Sequence, residues 1–262
     1  MTPENDGAER ASSDAGYASD DGRADDRERR DGPAGAESDA ATDSDAGADA
    51  ASAPESSGLA EESSLPLKTL AVLNWLGDEG VRGVESRLND VLDDDLDVTT
   101  EQVKIGYAEQ ETVASQFRAE DRAGARVLLS EPLVGNVLVV FPMESANKAA
   151  ALMLQRAVDD LSSVSTEMGR DALTELCNMM ANGFVDEWAT LFETTIDTGS
   201  PVAVQDPERT LVARILKQYE VGLFIRSRLR IPRHDVDAAI YMFPGKEEFL
   251  TKLSAVDLGV IE

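Results

Sequence analysis

The stretch DALTELCNMMANGF, residues 171–184, sorts its polar and apolar positions onto two sides. Asp171, Glu175, Asn178 and Asn182 recur at steps of four, three and four. At about 100° per residue these side chains share a narrow arc of one helix face. Leu173, Leu176, Cys177, Met180 and Phe184 fall on the opposite arc. The spacing predicts a helix that buries one face and presents an acid and two carboxamides outward. A Glu and an Asn three apart can reach one partner together, which suits them to holding a water or an ion. The bland account is a solvated helix face. Against it, Asn is a middling helix former, and two in mid-helix need a reason.

The rest of the second half follows the same logic. Asp206-Pro207 reads as a cap followed by Pro at the first helical position, opening a helix through about Lys217. From Val221 to Ile231 the chain alternates, with Val221, Leu223, Ile225, Leu229 and Ile231 on one face. Phe224, Arg226, Arg228 and Arg230 take the other, the pattern of a half-exposed strand. A short connection, Pro232 to Asp235, leads to a second strand around Val236 to Phe243. So short a link predicts an antiparallel pair, because parallel strands need a long crossover.

Two echoes suggest an internal duplication. Val139-Val140-Phe141-Pro142 returns 102 positions later as Tyr241-Met242-Phe243-Pro244. Each precedes a helical pattern, Ser145 to Leu161 and Glu247 to Leu253. Glu79-Gly80-Val81 and Asn182-Gly183-Phe184 lie 103 apart. The expected fold is α+β, a pseudo-duplicated domain in which both halves feed an antiparallel sheet with long helices packed against it. Its expected bounds are 66–262, with a first repeat of about 66–164 and a second of about 165–262. Residues 1–65 hold no Val, Ile, Phe or Trp. Such a segment cannot offset an ordering cost of about 1–2 kcal/mol per residue and is expected to be a disordered acidic tail.

Composition narrows the function. The chain has 51 acidic and 24 basic residues, a formal charge of -27. Residues 1–66 hold 18 acidic and 5 basic side chains, so the excess is shared almost equally between tail and domain. An acidic surface poor in lysine suits molar salt, where a Debye length of about 3 Å screens self-repulsion, and a halophilic source is expected. Nucleic acid is disfavoured as a partner, since phosphate binding needs a dense basic footprint. No apolar run is long enough to span a bilayer, so no membrane insertion is expected. MTPENDGAER lacks the start of a secretory signal, and the expected location is cytoplasmic. One Cys and one His exclude a disulfide framework and a Cys/His zinc cluster within a monomer.

The order Asp171-x3-Glu175-x2-Asn178, followed by twenty-two residues and Pro201, resembles the active-site signature of the CheC/CheX/FliY family of chemotaxis phosphatases. The resemblance implies hydrolysis of the aspartyl phosphate of the response regulator CheY. Asn178 would orient the attacking water and Glu175 would fix the docked regulator. Asp171, Pro201 and Asn182 would support them. No intrinsic cofactor is implied, with Mg²⁺ expected on the phosphorylated regulator. A shift of 103 places Lys68, Val72, Trp75 and Val98 opposite Asp171, Glu175, Asn178 and Pro201. Asn74 falls one residue off, behind Ala71, so a single active site is expected. The alternative is a non-catalytic CheC-like module that binds CheD or the motor machinery.

Other candidates have simpler accounts. Cys177 points to the apolar face with no base or positive pocket beside it, so burial is expected over nucleophilic chemistry. His234 is expected to be exposed in its connection. Trp75 reads as core. Gly77, Gly80 and Gly83 recur by threes in a helical context, which is not a phosphate-cradling loop. The row Arg226, Arg228 and Arg230 could meet an acidic partner, though a solvated face offsetting nearby carboxylates is the simpler expectation.

Overall fold

Residues 65–92, 96–155, 166–219 and 221–256 are described by the structure, a computed structural model. The expected acidic tail lies outside them except for Leu65, as does the end of the predicted helix Ser145 to Leu161. In chain order the elements are α1 (Leu67–Leu92), β1 (Thr99–Ala108), α2 (Val113–Gln116), β2 (Asp121–Leu129), β3 (Gly135–Pro142) and α3 (Met143–Leu154). The same order follows again as α4 (Thr166–Leu191), β4 (Val202–Pro207), α5 (Glu208–Leu216), β5 (Gly222–Ile231), β6 (Val236–Pro244) and α6 (Lys246–Ala255).

The six strands form one antiparallel sheet in the order β1-β5-β6-β3-β2-β4. Exchanging the strands of the two halves returns this order reversed, so the sheet has a pseudo-twofold axis between β3 and β6. There Val139 pairs with Ile240. The larger core lies on one sheet face, where α1, α3, α4 and α6 pack against Ala125, Val139, Ile225 and Ile240. On the other face α2 and α5 cover Leu138, Val140, Phe224 and Tyr241. Strand alternation divides the two sets, since successive side chains leave opposite faces.

The duplication stands, but neither sequence echo is in its true register. Phe141 faces the large core while Phe243 faces the small one, so a step of 102 pairs residues from opposite faces. On the helices the correct step is 100. It lays buried Leu73, Leu76, Gly77, Gly80 and Val84 on buried Leu173, Leu176, Cys177, Met180 and Phe184. The same step joins Gly83 to Gly183, where α1 and α4 cross. A Cβ on Gly83 would lie 2.2 Å from the Gly183 carbonyl oxygen, and one on Gly183 would lie 2.6 Å from that of Gly83. Only glycine permits this approach.

Other expectations shift at element ends. Asp206 does not cap a helix: it belongs to β4 and pairs with Arg214 at 2.6 Å, and Pro207 precedes α5 without a side-chain cap. Strand β4, VAVQDP, is absent from the sequence reading because its Pro and Asp speak for a turn. His234 is half-buried, held by the 3₁₀ turn Pro232–His234. Trp75 is half-buried against the large core.

Candidate functional site

Helix α4 carries the stripe. Its apolar side, including Leu176, Cys177, Met180 and Phe184, is buried. Packing against α1 and the sheet therefore fixes the direction of the polar side. Asp171 and Glu175 are exposed, and Asn178 and Asn182 are half-buried. Among the described residues, no hydrogen bond or ion pair engages the side chains of Asp171, Glu175 or Asn178. Glu175 and Asn178 thus sit a helical turn apart, uncommitted, on a rigid rod.

Asn182 behaves differently. The Thr198 hydroxyl donates to Asn182 Oδ1 at 2.9 Å. Of the two carboxamides expected to face outward, only Asn178 remains free. Thr198 belongs to the connection between α4 and β4, which β2 holds in turn. Ser130 N donates to Asp197 O at 2.9 Å, Gly199 N donates to Leu128 O at 2.8 Å, and Leu129 bridges Thr198. Pro201 lies half-buried two residues after Gly199. Asn182 therefore fastens the Pro201 segment to the helix that carries Glu175 and Asn178. Sequence reasoning missed Thr198 because a connection has no periodicity.

Cys177 is fully buried, and its thiol points at the Val139 carbonyl oxygen, 3.8 Å away. Burial pushes its pKa well above the ordinary thiol range, so no thiolate forms there. Among the described residues no three His, Cys, Asp or Glu side chains are placed to hold a metal ion. No described helix is long and apolar enough to cross a membrane.

At the corrected step of 100, Ala71, Trp75, Asp78 and Arg82 stand opposite Asp171, Glu175, Asn178 and Asn182. These replace the expected counterparts Lys68, Val72 and Trp75. The first half still lacks a Glu-Asn pair, and its polar groups are spent on one another. Arg82 pairs with Asp78 at 3.6 Å and also with Glu79.

The stripe is an open, convex helix face. A groove of about 900 Å³ opens beside the first turns of α4, lined by Ala146, Ala150, Leu154, Gly169, Leu173 and Ala203. Asp171, Glu175 and Asn178 do not line it. A small substrate needs a concavity that buries most of its surface. A convex face with two free polar groups instead suits a macromolecule that brings the reacting group in its own cleft.

Residues 168–204 match the model of the CheC-like family, a span that contains all five stripe and loop residues from Asp171 to Pro201. A Halobacterium salinarum protein named CheC1, a candidate CheY-P phosphatase, is 26% identical over 194 residues. The alignment covers 73% of this chain and 98% of the relative. In fold, the chain is similar to Thermotoga maritima FliY, with a TM-score of 0.56 and 15% identity over 72% of this chain and 96% of FliY. It is also similar to the FliM middle domain from H. pylori, with a TM-score of 0.51 and 12% identity over 72% and 99% of the two chains. The segment that carries the polar stripe is similar to the CheC-like family, and the fold of the chain is similar to those of FliY and the FliM middle domain.

Proposed function

We propose that this chain is a chemotaxis phosphatase that hydrolyses the aspartyl phosphate of phosphorylated CheY. The observation that carries the reading is the free Glu175–Asn178 pair on the outward face of α4, inside the segment matching the CheC-like family. The Halobacterium salinarum relative, aligned over 194 residues, supports it.

Asn178 accepts a hydrogen bond from a water and donates to the phosphoryl oxygens, aligning the water behind phosphorus. The water oxygen bonds to phosphorus as the bond to the aspartyl oxygen breaks. One water proton leaves to solvent or to the phosphate, and an aspartate and orthophosphate remain. Little covalent work falls to the protein, so placement and charge dominate, and one carboxamide suffices. Glu175 contacts a cationic side chain beside the phosphate and fixes the docked register. The regulator supplies Mg²⁺. Asp171 adds charge one turn toward the helix start, while Asn182 and Pro201 shape the neighbouring wall.

The test is to mix the full chain with phosphorylated CheY in concentrated salt and follow orthophosphate. Wild type accelerates its release, and Glu175→Ala loses most of the acceleration at low regulator concentration. Release at the unassisted rate with wild type would remove the enzyme reading. Capture of CheD in that case would favour the docking module, a reading the Trp75 and Asp78 replacements in the first half already support.

A further inference from the structure

On the sheet face away from α4, the arginine row is not the solvated surface that alternation suggests. Arg226 and Arg228 are half-buried. With Arg122, Glu208, Asp237 and Tyr241 they line a cavity of about 30 Å³. Its floor is closed by internal bonds. The Tyr241 hydroxyl donates to Glu208 Oε1 at 2.6 Å, and Arg122 Nε donates to Glu208 Oε2 at 3.2 Å. All three residues are buried. Arg122 and Glu208 therefore neutralise each other, and Arg230 is occupied by Asp235 at 2.9 Å.

Two guanidiniums make no ion pair. Arg226 donates from Nη2 to the neutral Gln102 at 3.2 Å and also contacts the Tyr241 hydroxyl, but its Nε is buried without an acceptor. Among the described residues Arg228 has no side-chain partner, and no carboxylate lies within ion-pair distance of either arginine. The carboxylates of Glu101, Glu208 and Asp237 line the same cavity, but Glu208 is committed to Arg122 and Asp237 faces Arg230, so none makes an ion pair with Arg226 or Arg228. A buried donor with no acceptor is costly, and a partly buried charge without a direct ion-pair partner adds to that cost. The corresponding outward positions of β2 carry Gly124, Arg126 and Leu128, so the feature belongs to one half and not to the fold as such.

We propose that Arg226 and Arg228 form a binding site for a small oxyanion, independent of the phosphatase reading. Neighbouring outward side chains on one strand lie about 7 Å apart, which lets two guanidinium forks close on one anion from adjacent positions. Arg226 Nε reaches it from the cavity wall, and Arg228 closes the mouth. A bridging water between Arg226 Nε and Asp237 Oδ1, which lies 3.8 Å from Arg230 Nε, would satisfy the buried donor but leave both guanidiniums without a direct ion pair. An oxyanion meets the donor and the charge together.

Calorimetric titration of the full chain with orthophosphate tests the site, with ionic strength held constant by chloride and acetate run as a second arm. Saturable binding with one-to-one stoichiometry is expected. Stronger binding of phosphate identifies a phosphate ligand, and stronger binding of acetate a carboxylate. Arg226→Lys, which keeps the charge but loses Nε, and Arg228→Gln each weaken binding by about tenfold or more, while Arg209→Gln on exposed α5 surface leaves it unchanged. Without any substitution, the Arg226 Nε–H resonance shifts on anion addition. No saturable heat with either anion, or an unchanged affinity in Arg226→Lys, overturns the proposal and leaves the cavity to water alone.

Discussion

Asn178 and Glu175 owe their usefulness to what they do not touch. Both lie on a helix anchored by Leu176, Cys177 and Met180, and neither is spent on an internal bond. The neighbouring Asn182 is spent, on Thr198. Thr198→Val removes that bond and leaves the Asn182 carbonyl without its donor, at a cost of about 1 kcal/mol. Thermal denaturation should show this modest loss, together with slower CheY-P turnover because the Pro201 segment loses its tie to α4. An unchanged turnover rate in a variant with the same small stability loss would free the loop of any positioning role. At this scale the stripe was legible from spacing alone, since helical geometry turns sequence steps into directions. Which of its members would be free was not, because Thr198 comes from a connection whose path only tertiary contacts set.

Between elements, the crossing of α1 and α4 decides how the site helix is held. Gly83→Ala places a methyl 2.2 Å from the Gly183 carbonyl oxygen, so the helices must separate. A loss of about 1–3 kcal/mol is expected by denaturant unfolding. Gly169→Ala on the same α4 meets open space and should stabilise by about 0.5–1 kcal/mol through helix propensity. Equal effects of the two substitutions would show that the crossing is not tight.

The same helix pair contains a titrating carboxyl. Desolvation, then the charges of Glu79 and Asp186, raises the Glu187 pKa above its ordinary value. A raised folded value means that the folded protein holds this proton more tightly than the unfolded chain. The associated stability is complete below the ordinary glutamate range and is lost as pH rises through the raised value. Glu187→Gln should therefore raise the melting temperature at pH 7 and give no gain below about pH 4. A gain of equal size at both pH values would contradict the assignment. Element identity was legible for the long helices and for the β5–β6 pair, where periodicity runs for many residues. It failed for β4, six residues containing Asp and Pro, whose strand character comes from pairing with β2. The repeat register failed for a related reason. Short echoes of Gly and Phe-Pro recur by chance, whereas burial on a face admits one alignment.

For the whole molecule, a net charge of -27 sets the conditions under which everything else operates. Screening of self-repulsion should raise the melting temperature as monovalent salt increases from about 0.1 to about 2 M. A flat dependence would mean that the carboxylates are already neutralised in pairs. Composition made this legible, and the element order made the pseudo-symmetry legible in outline. The convergence of Arg122, Arg226 and Arg228 was not, since it joins β2 to β5 across the middle of the sheet. The same pseudo-symmetry sharpens the functional claim. Two helices of one fold present matching faces, and only α4 leaves a carboxylate and a carboxamide free. The most direct measurement is the rate of phosphate loss from phosphorylated CheY with wild type and with Asn178→Asp, which keeps the side-chain shape and removes the amide donor. The account predicts a fall in the stimulated rate of about a hundredfold with the fold intact. Stimulation by Asn178→Asp at the wild-type rate would contradict it.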